Sequence, residues 1–261
     1  MSRLQHLPIS LQKSICEKSF LKVIAGLSNF DKVSVANVAK AASLGGADLL
    51  DIACDPALVD LAIQNSDLPV CVSAVNPELF PAAIEAGASM IEIGNFDSFY
   101  AQGRFFDATE VLYLTSQTRK LLPEVFLSVT VPHKLPLDKQ SQLALDLLEQ
   151  GADMIQTEGG KLSSPKSSGN LGLIEKAAPT LAATHAISES LRNSGSMIPV
   201  ICASGLSSLT IPMAFSMGAT GVGIGSAINK LTSHIEMVAG VRSLRESISS
   251  SRNLIKKLEY N

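Results

Sequence analysis

Gly46-Ala47-Asp48-Leu49-Leu50-Asp51-Ile52 decides the fold, because the chain uses the same pattern four times. It returns as Gly87-Ala88-Ser89-Met90-Ile91-Glu92-Ile93, as Gly151-Ala152-Asp153-Met154-Ile155-Gln156-Thr157 and as Gly218-Ala219-Thr220-Gly221-Val222-Gly223-Ile224. In each copy glycine caps a helix, alanine allows close approach, and a short β-rich run follows. Other β-rich runs lie between the copies and are entered differently, through Pro69, Glu124 and Pro199. The eight predicted strands are 20–26, 48–54, 69–75, 89–94, 124–131, 153–158, 198–204 and 220–225, each followed by a helical pattern. Alternation of this kind predicts a parallel α/β sheet, and eight units predict closure into a single (β/α)₈ barrel over residues 1–261.

Aligning the repeats assigns faces, since side chains alternate along a strand. Leu50, Ile91, Ile155 and Val222 share the helix-facing side with Ile52, Ile93, Thr157 and Ile224. The inward side then carries Asp51, Glu92, Gln156 and Gly223, with Ala53, Gly94, Glu158 and Gly225 one layer higher. On the odd strands, Lys22, Ser73, Ser128, Thr130, Cys202 and Ser204 are expected inward. Leu4, Leu7, Leu11 and Ile15 recur at helical spacing and predict an N-terminal helix that closes the barrel floor; 231–258 reads as the last helix.

The 261 residues suit one such domain, and 46% hydrophobic residues with 17% charged ones supply a large core. A net charge of −3 and the lack of a clustered basic stretch argue against nucleic acid as partner. No apolar run approaches the roughly 18 to 20 residues of a membrane span, and the first twenty lack a signal-peptide core, so a soluble, intracellular protein is expected. Nothing in this composition opposes a homo-oligomer. Cys16, Cys54, Cys71 and Cys202 show no metal-type spacing and read as reduced, mostly core residues.

The strongest chemical signal lies at the last two strand-to-helix turns, Ser204-Gly205 and Gly223-Ile224-Gly225-Ser226. Glycine lets an anion approach backbone N–H groups there, the helix start after Gly225 adds a positive dipole end, and successive turns at strands seven and eight form the phosphate site of many barrels. The expected partner is therefore a small phosphorylated molecule, with Mg²⁺ conceivable only as a companion of the phosphate and no metal site legible in the spacing of His and carboxylates. Glycines that merely permit tight turns are the alternative.

Lys22, Asp51, Glu92 and Gln156 form a second cluster in the interior. Buried charges must pair, and a desolvated Lys beside two carboxylates is material either for Schiff-base or proton-transfer chemistry or for a structural ion-pair layer. Higher up, His133 follows strand five and Glu158-Gly159-Gly160-Lys161 follows strand six, so His133 and Glu158 are candidate proton-transfer groups, with a solvated rim His as the alternative. Gly159 and Gly160, also candidates for holding the ligand, open a segment to Asn170 rich in Gly, Ser, Lys and Pro, which suits a mobile lid or an ordinary loop. Asp31 is expected to cap a helix.

Lys22-Val23-Ile24-Ala25-Gly26-Leu27-Ser28-Asn29-Phe30-Asp31, the run from Asp51 to Pro56, Thr157-Glu158-Gly159-Gly160 and the turns Cys202 to Ser207 and Gly221 to Asn229 resemble one family, that of hypothetical chloroplast open reading frame 23, found in algal plastids and cyanobacteria. The likeness implies a TIM barrel in the plastid stroma or cyanobacterial cytoplasm and implies no particular reaction. More distantly, residues 45–52 are similar to the second strand of barrel lyases that build a furan phosphate, and 154–159 to the sixth strand of deoxyribose-phosphate aldolase. Their Schiff-base lysines would fall at Ala53 and Gln156, which leaves Lys22 as the interior candidate.

The leading expectation is thus a lyase or isomerase of a small phosphorylated carbonyl compound or sugar, with Ser204, Gly205, Gly223, Gly225 and Ser226 at the phosphate and Lys22, Asp51 and Glu92 at the chemistry. Two rivals are an oxidoreductase holding flavin mononucleotide (FMN) at the same turns and a non-catalytic binder of a phosphorylated metabolite.

Overall fold

The computed structural model of the chain describes residues 3–159 and 164–259, from 253 onward by backbone alone. Eight parallel strands, β1 Phe20–Gly26, β2 Leu49–Ala53, β3 Val70–Ala74, β4 Met90–Ile93, β5 Leu127–Thr130, β6 Met154–Gln156, β7 Val200–Ala203 and β8 Gly221–Ile224, close into a barrel in sequence order. The helices are α1 Ile9–Cys16, α2 Lys32–Gly45, α3 Pro56–Asn65, α4 Phe80–Glu85, α5 Asp97–Tyr100, α6 Ala108–Leu121, α7 Leu137–Glu149, α8 Gly169–Asn193, α9 Ile211–Ser216, α10 Ser226–Asn229 and α11 His234–Glu259. The predicted fold class is the observed one; β1 has the predicted bounds, and the other seven strands are shorter than their sequence patterns because pairing stops where the chain turns away.

The Gly-Ala repeat works as read, and the structure adds how. Gly46, Gly87, Gly151 and Gly218 all have φ between 85° and 108°, a left-handed conformation that side chains resist. The residue after each alanine passes its N–H to the strand before: Asp48 to Leu21 O, Ser89 to Val70 O, Asp153 to Leu127 O and Thr220 to Val200 O, at 2.7–2.9 Å. Two copies carry a further latch. Asp48 Oδ2 accepts from Leu21 N and from Arg245 of α11, whose guanidinium also donates to Gly46 O and Ser19 O. Asp153 Oδ2 accepts from Leu127 N and from Arg119 of α6, which also donates to Gly151 O and Val125 O.

Leu7, Leu11 and Ile15 pack with Phe20, Leu49, Cys71, Met90, Phe126, Met154 and Ile201 in a buried cluster that fills the bottom of the barrel, so α1 closes the floor as expected. A larger cluster lies between strands and helices and holds Leu50, Ile52, Ile91, Ile93, Ile155, Val222 and Ile224, the predicted outward face. Ring closure relies on Gly45, where a Cβ would lie 2.4 Å from Val241 Cβ, bringing α2 against α11. Asp31 caps α2 by accepting from Val33 N and Ser34 N.

One face assignment is corrected. Cys202 pairs in register with the outward Val222 and lies 3.8 Å from Thr180 Oγ1, between the barrel and α8, while Ala203 takes the inward place. Thr157, Thr180 and Thr184 hydrogen-bond one another there, so a small polar side chain loses nothing by facing the helices. Burial pushes the Cys71 and Cys202 thiols up and Cys54 up to about 12, whereas Cys16 is exposed. At pH 8 a thiol-reactive disulfide reagent is expected to modify Cys16 rapidly and the other three only on denaturation; rapid reaction of a second thiol would contradict this packing.

Candidate functional site

The C-terminal ends of the strands open onto a cavity of about 890 Å³. One wall is made by the turns after β7 and β8, with Ser204, Gly205, Gly223, Gly225 and Ser226 all lining it, so these five candidates come together, whereas Gly159 is not among the lining residues. Ser204 and Gly205 both have φ of 76°, and Ser204 is one of only three non-glycine residues at positive φ among the described residues. A side chain held in that region marks a position where the surroundings override local preference. At Gly223 a Cβ would come within 2.9 Å of Ala203 Cβ, so the strand tolerates only hydrogen there. Lys176, Asn229 and Lys230 add polar groups to the same cavity, and Asn229 Nδ2 ties the β8 turn to β1 by donating to Ile24 O at 2.9 Å.

The opposite wall holds Asn95, Asp97 and Glu158. Glu158, 4% exposed, is the hub of a small network. Its Oε1 accepts from Tyr100 Oη at 2.6 Å and from His133 N at 3.2 Å, and lies 3.0 Å from His133 Nδ1; its Oε2 accepts from Asp97 N at 3.3 Å. Asp97 Oδ1 is 3.4 Å from His133 Nδ1, and Asp97 Oδ2 accepts from Ser204 Oγ at 3.3 Å, which joins the two walls. Burial and the Glu158 charge hold the Tyr100 hydroxyl above its ordinary range, so it serves as a donor. His133 Nδ1 is engaged by the carboxylate, and its Nε2 is buried without a hydrogen-bond partner. His133 is therefore a packed member of an acidic network and not a solvated rim residue. The ligand atoms of Asp97, His133 and Glu158 lie within 4.8 Å of one another, so this trio could also hold a divalent cation.

Beneath the cavity lies the charged layer. Lys22 Nζ is 2.6 Å from Glu92 Oε2 and 3.0 Å from Asp51 Oδ2, and none of the three is more than 1% exposed or lines the cavity. Five donors converge on Glu92: Lys22, Ser128, Thr130, Asn95 and Gln156. Asp51 Oδ1 accepts from Ser73 Oγ at 2.6 Å. Burial alone would lower the Lys22 ammonium, but Asp51 and Glu92 outweigh it and hold Lys22 above its ordinary value. An ammonium so held has no lone pair for Schiff-base formation. Glu92 is raised by burial and by Asp51, with Lys22 pulling the other way.

Gly159, at the start of the expected lid, has φ of 142° and its backbone lies against Pro179 and His133; Gly160 and residues 161–163 lie outside the described residues. Farther along, Lys166 N, Ser167 N and Ser167 Oγ all donate to Glu175, α8 begins at Gly169, and Pro165 lines the cavity.

A family model described as a protein of unknown function, DUF561, matches residues 7–254, from the floor helix through most of α11. The chain belongs to this family. The relatives named "Uncharacterized protein ycf23" include one from Cyanophora paradoxa, 45% identical over 238 residues that cover 90% of this chain and 95% of the relative. Another, from Porphyra purpurea, is 39% identical over 245 residues, covering 94% and 91%. Among solved structures, thiamine phosphate pyrophosphorylase from Pyrococcus furiosus superimposes with a TM-score of 0.58 at 16% identity, covering 90% of this chain and 98% of that one. 3-Hexulose-6-phosphate synthase gives 0.60 at 15%, covering 87% and 99%. These likenesses show the barrel fold.

In this DUF561 chain sequence reasoning missed Asn95, Asp97 and Tyr100. They sit on the β4 turn and the four-residue α5, too short for any periodicity. The available signal was Asn95 itself, a residue type that tolerates the left-handed region, placed at a strand end and holding φ of 59°.

Proposed function

We propose that this DUF561 protein is a lyase or isomerase acting on a small phosphorylated carbonyl compound or sugar. The observation that carries the reading is the cavity with two unlike walls, glycine-bearing turns of β7 and β8 facing the Asp97, His133 and Glu158 network, joined by the Ser204 to Asp97 contact. Backbone N–H groups on the first wall suit a phosphate, and the Asp97 and Glu158 carboxylates on the second, with His133 hydrogen-bonded behind them, suit proton transfer at a carbon held between the walls. Two structural neighbours, thiamine phosphate pyrophosphorylase and 3-hexulose-6-phosphate synthase, are named for phosphorylated compounds, which supports the same class.

In this reading Glu158 takes a proton from the ligand and returns it to the product, His133 supports that carboxylate through its Nδ1, Asp97 orients the imidazole, and Ser204, Gly205, Gly225 and Ser226 hold the phosphate. Lys22, Asp51 and Glu92 act as positioning residues from below. A Mg²⁺ ion arriving with the phosphate would meet Asp97 and Glu158. Among the described residues no helix is long and apolar enough to cross a membrane, and we place the protein in the plastid stroma or cyanobacterial cytoplasm.

Titration calorimetry with inorganic phosphate, ribose 5-phosphate and ribose tests the site. Binding of the two phosphates and none of ribose is expected. Equal affinity for ribose with and without phosphate overturns it, and so does a purified protein with the absorption bands of FMN.

A further inference from the structure

Gln156 stands at the floor of the cavity, and its amide has only one sensible orientation. Nε2 donates to Glu92 Oε1 at 2.7 Å and to Thr130 Oγ1 at 3.3 Å. Turning the amide over would set two acceptor oxygens against each other in a site where Gln156 is 1% exposed. Oε1 is consequently fixed on the other side, and it is buried without a hydrogen-bond partner. Its neighbour is the bare Cα of Gly223: a Cβ built there would lie 3.4 Å from Gln156 Oε1, and both residues line the cavity. Leaving a buried amide oxygen unpaired is costly, and that cost is recovered when a ligand donates to it.

The surroundings specify which kind of ligand. Asn95 is turned the same way, its Nδ2 drawn down to Glu92 Oε1 and Ser73 Oγ. Below are one ammonium and two carboxylates, Lys22, Asp51 and Glu92, and the facing wall adds Asp97 and Glu158. A floor of amide oxygen over a layer with excess negative charge attracts hydroxyl or ammonium donors and repels a carboxylate.

We infer that Gln156 is the specificity-determining residue of the cavity, its Oε1 accepting a hydrogen bond from a hydroxyl at the end of the ligand remote from the phosphate, so that the site selects polyhydroxylated phosphate esters over deoxy and carboxylate ones. Gly223, with no side chain, puts no methyl group over Oε1, and Glu92 acts through Gln156 by holding the amide. The inference rests on the phosphate reading above.

The test is calorimetry on the full chain with pairs of equal carbon length, glycerol 3-phosphate against propyl phosphate and ribitol 5-phosphate against pentyl phosphate, with 3-phosphoglycerate as the carboxylate case. The wild type is expected to prefer at least one hydroxylated member tenfold or more and to bind 3-phosphoglycerate no better than propyl phosphate. In Gln156→Leu the preference falls to within twofold while the alkyl phosphates bind as before. Since Gln156→Leu also removes a donor from Glu92, the exchange Ala203→Gly with Gly223→Ala serves as a second variant. It keeps every donor to Glu92, places a methyl group beside Oε1, and is expected to abolish the preference likewise. Alkyl phosphates that bind the wild type without any hydroxyl preference overturn the inference alone, as does a preference that survives both variants. If no phosphate ester binds, the phosphate reading fails and the inference falls with it.

Discussion

Lys22→Met is expected to destabilise the protein by about 3–5 kcal/mol, the usual effect of removing one partner from a buried ion pair. The loss follows from what stays behind, since Asp51 and Glu92 remain inside with no cation within the layer. For a chain of this size the melting temperature should fall by about 10 °C, at roughly 2–4 °C per kcal/mol. The sign of the pH dependence follows from Glu92, which burial already raises above its ordinary value against the pull of Lys22. Without that pull a proton is taken up more readily in the folded state, so the defect is full near neutral pH and shrinks as pH falls toward the ordinary carboxylate range. The triple replacement Lys22→Met, Asp51→Asn and Glu92→Gln keeps the volume and much of the hydrogen bonding without charge and should recover most of the stability. Thermal denaturation of the three proteins decides the matter. A Lys22→Met protein that melts with the wild type would show that the layer does not hold the barrel together.

Ser226→Asp is expected to weaken phosphate binding a hundredfold or more while leaving stability within about 0.5 kcal/mol. Ser226 is exposed on the glycine-bearing wall and opens α10, where an acidic residue suits the helix start and disturbs no packing. A carboxylate about 4 Å from a bound anion costs roughly 4 kcal/mol per pair of unit charges at an effective dielectric of about 20, and a hundredfold loss needs about 2.8 kcal/mol. Calorimetry with inorganic phosphate beside a denaturation curve separates the two effects. Unchanged affinity in a folded Ser226→Asp protein would move the phosphate away from β8.

The barrel was legible because its signals are local and repeated. A glycine at a helix end and alternation over four residues need no knowledge of distant parts of the chain, and together they placed Asp51, Glu92 and Gln156 in one interior. Cys202 failed because the outward side of β7 is polar for reasons supplied by α8, some twenty residues earlier: Thr180 and Thr184 make a hydroxyl pocket that no pattern within β7 reveals. The acidic wall was half legible. Glu158 and His133 announced themselves at strand ends, but their relation depends on Asp97 and Tyr100, which reach them from a different turn through a segment without period. Spacing along the chain could not show a three-residue cluster assembled from three separate loops.

The two arginine latches stand four units apart. Arg245 precedes β1 around the ring and Arg119 precedes β5; each reads the glycine carbonyl and the aspartate of the following even strand, and each reaches the backbone two residues before the strand N–H that the aspartate binds. The same latch thus stands at the same place in β1 to β4 as in β5 to β8. Superposing the halves on their Gly-Ala pairs sets Ile93-Gly94-Asn95 on Ile224-Gly225-Ser226. The glycine-bearing β8 turn thus has its counterpart across the barrel in the β4 turn that carries Asn95, and in the proposed function the first would hold the phosphate while the second flanks the acidic network.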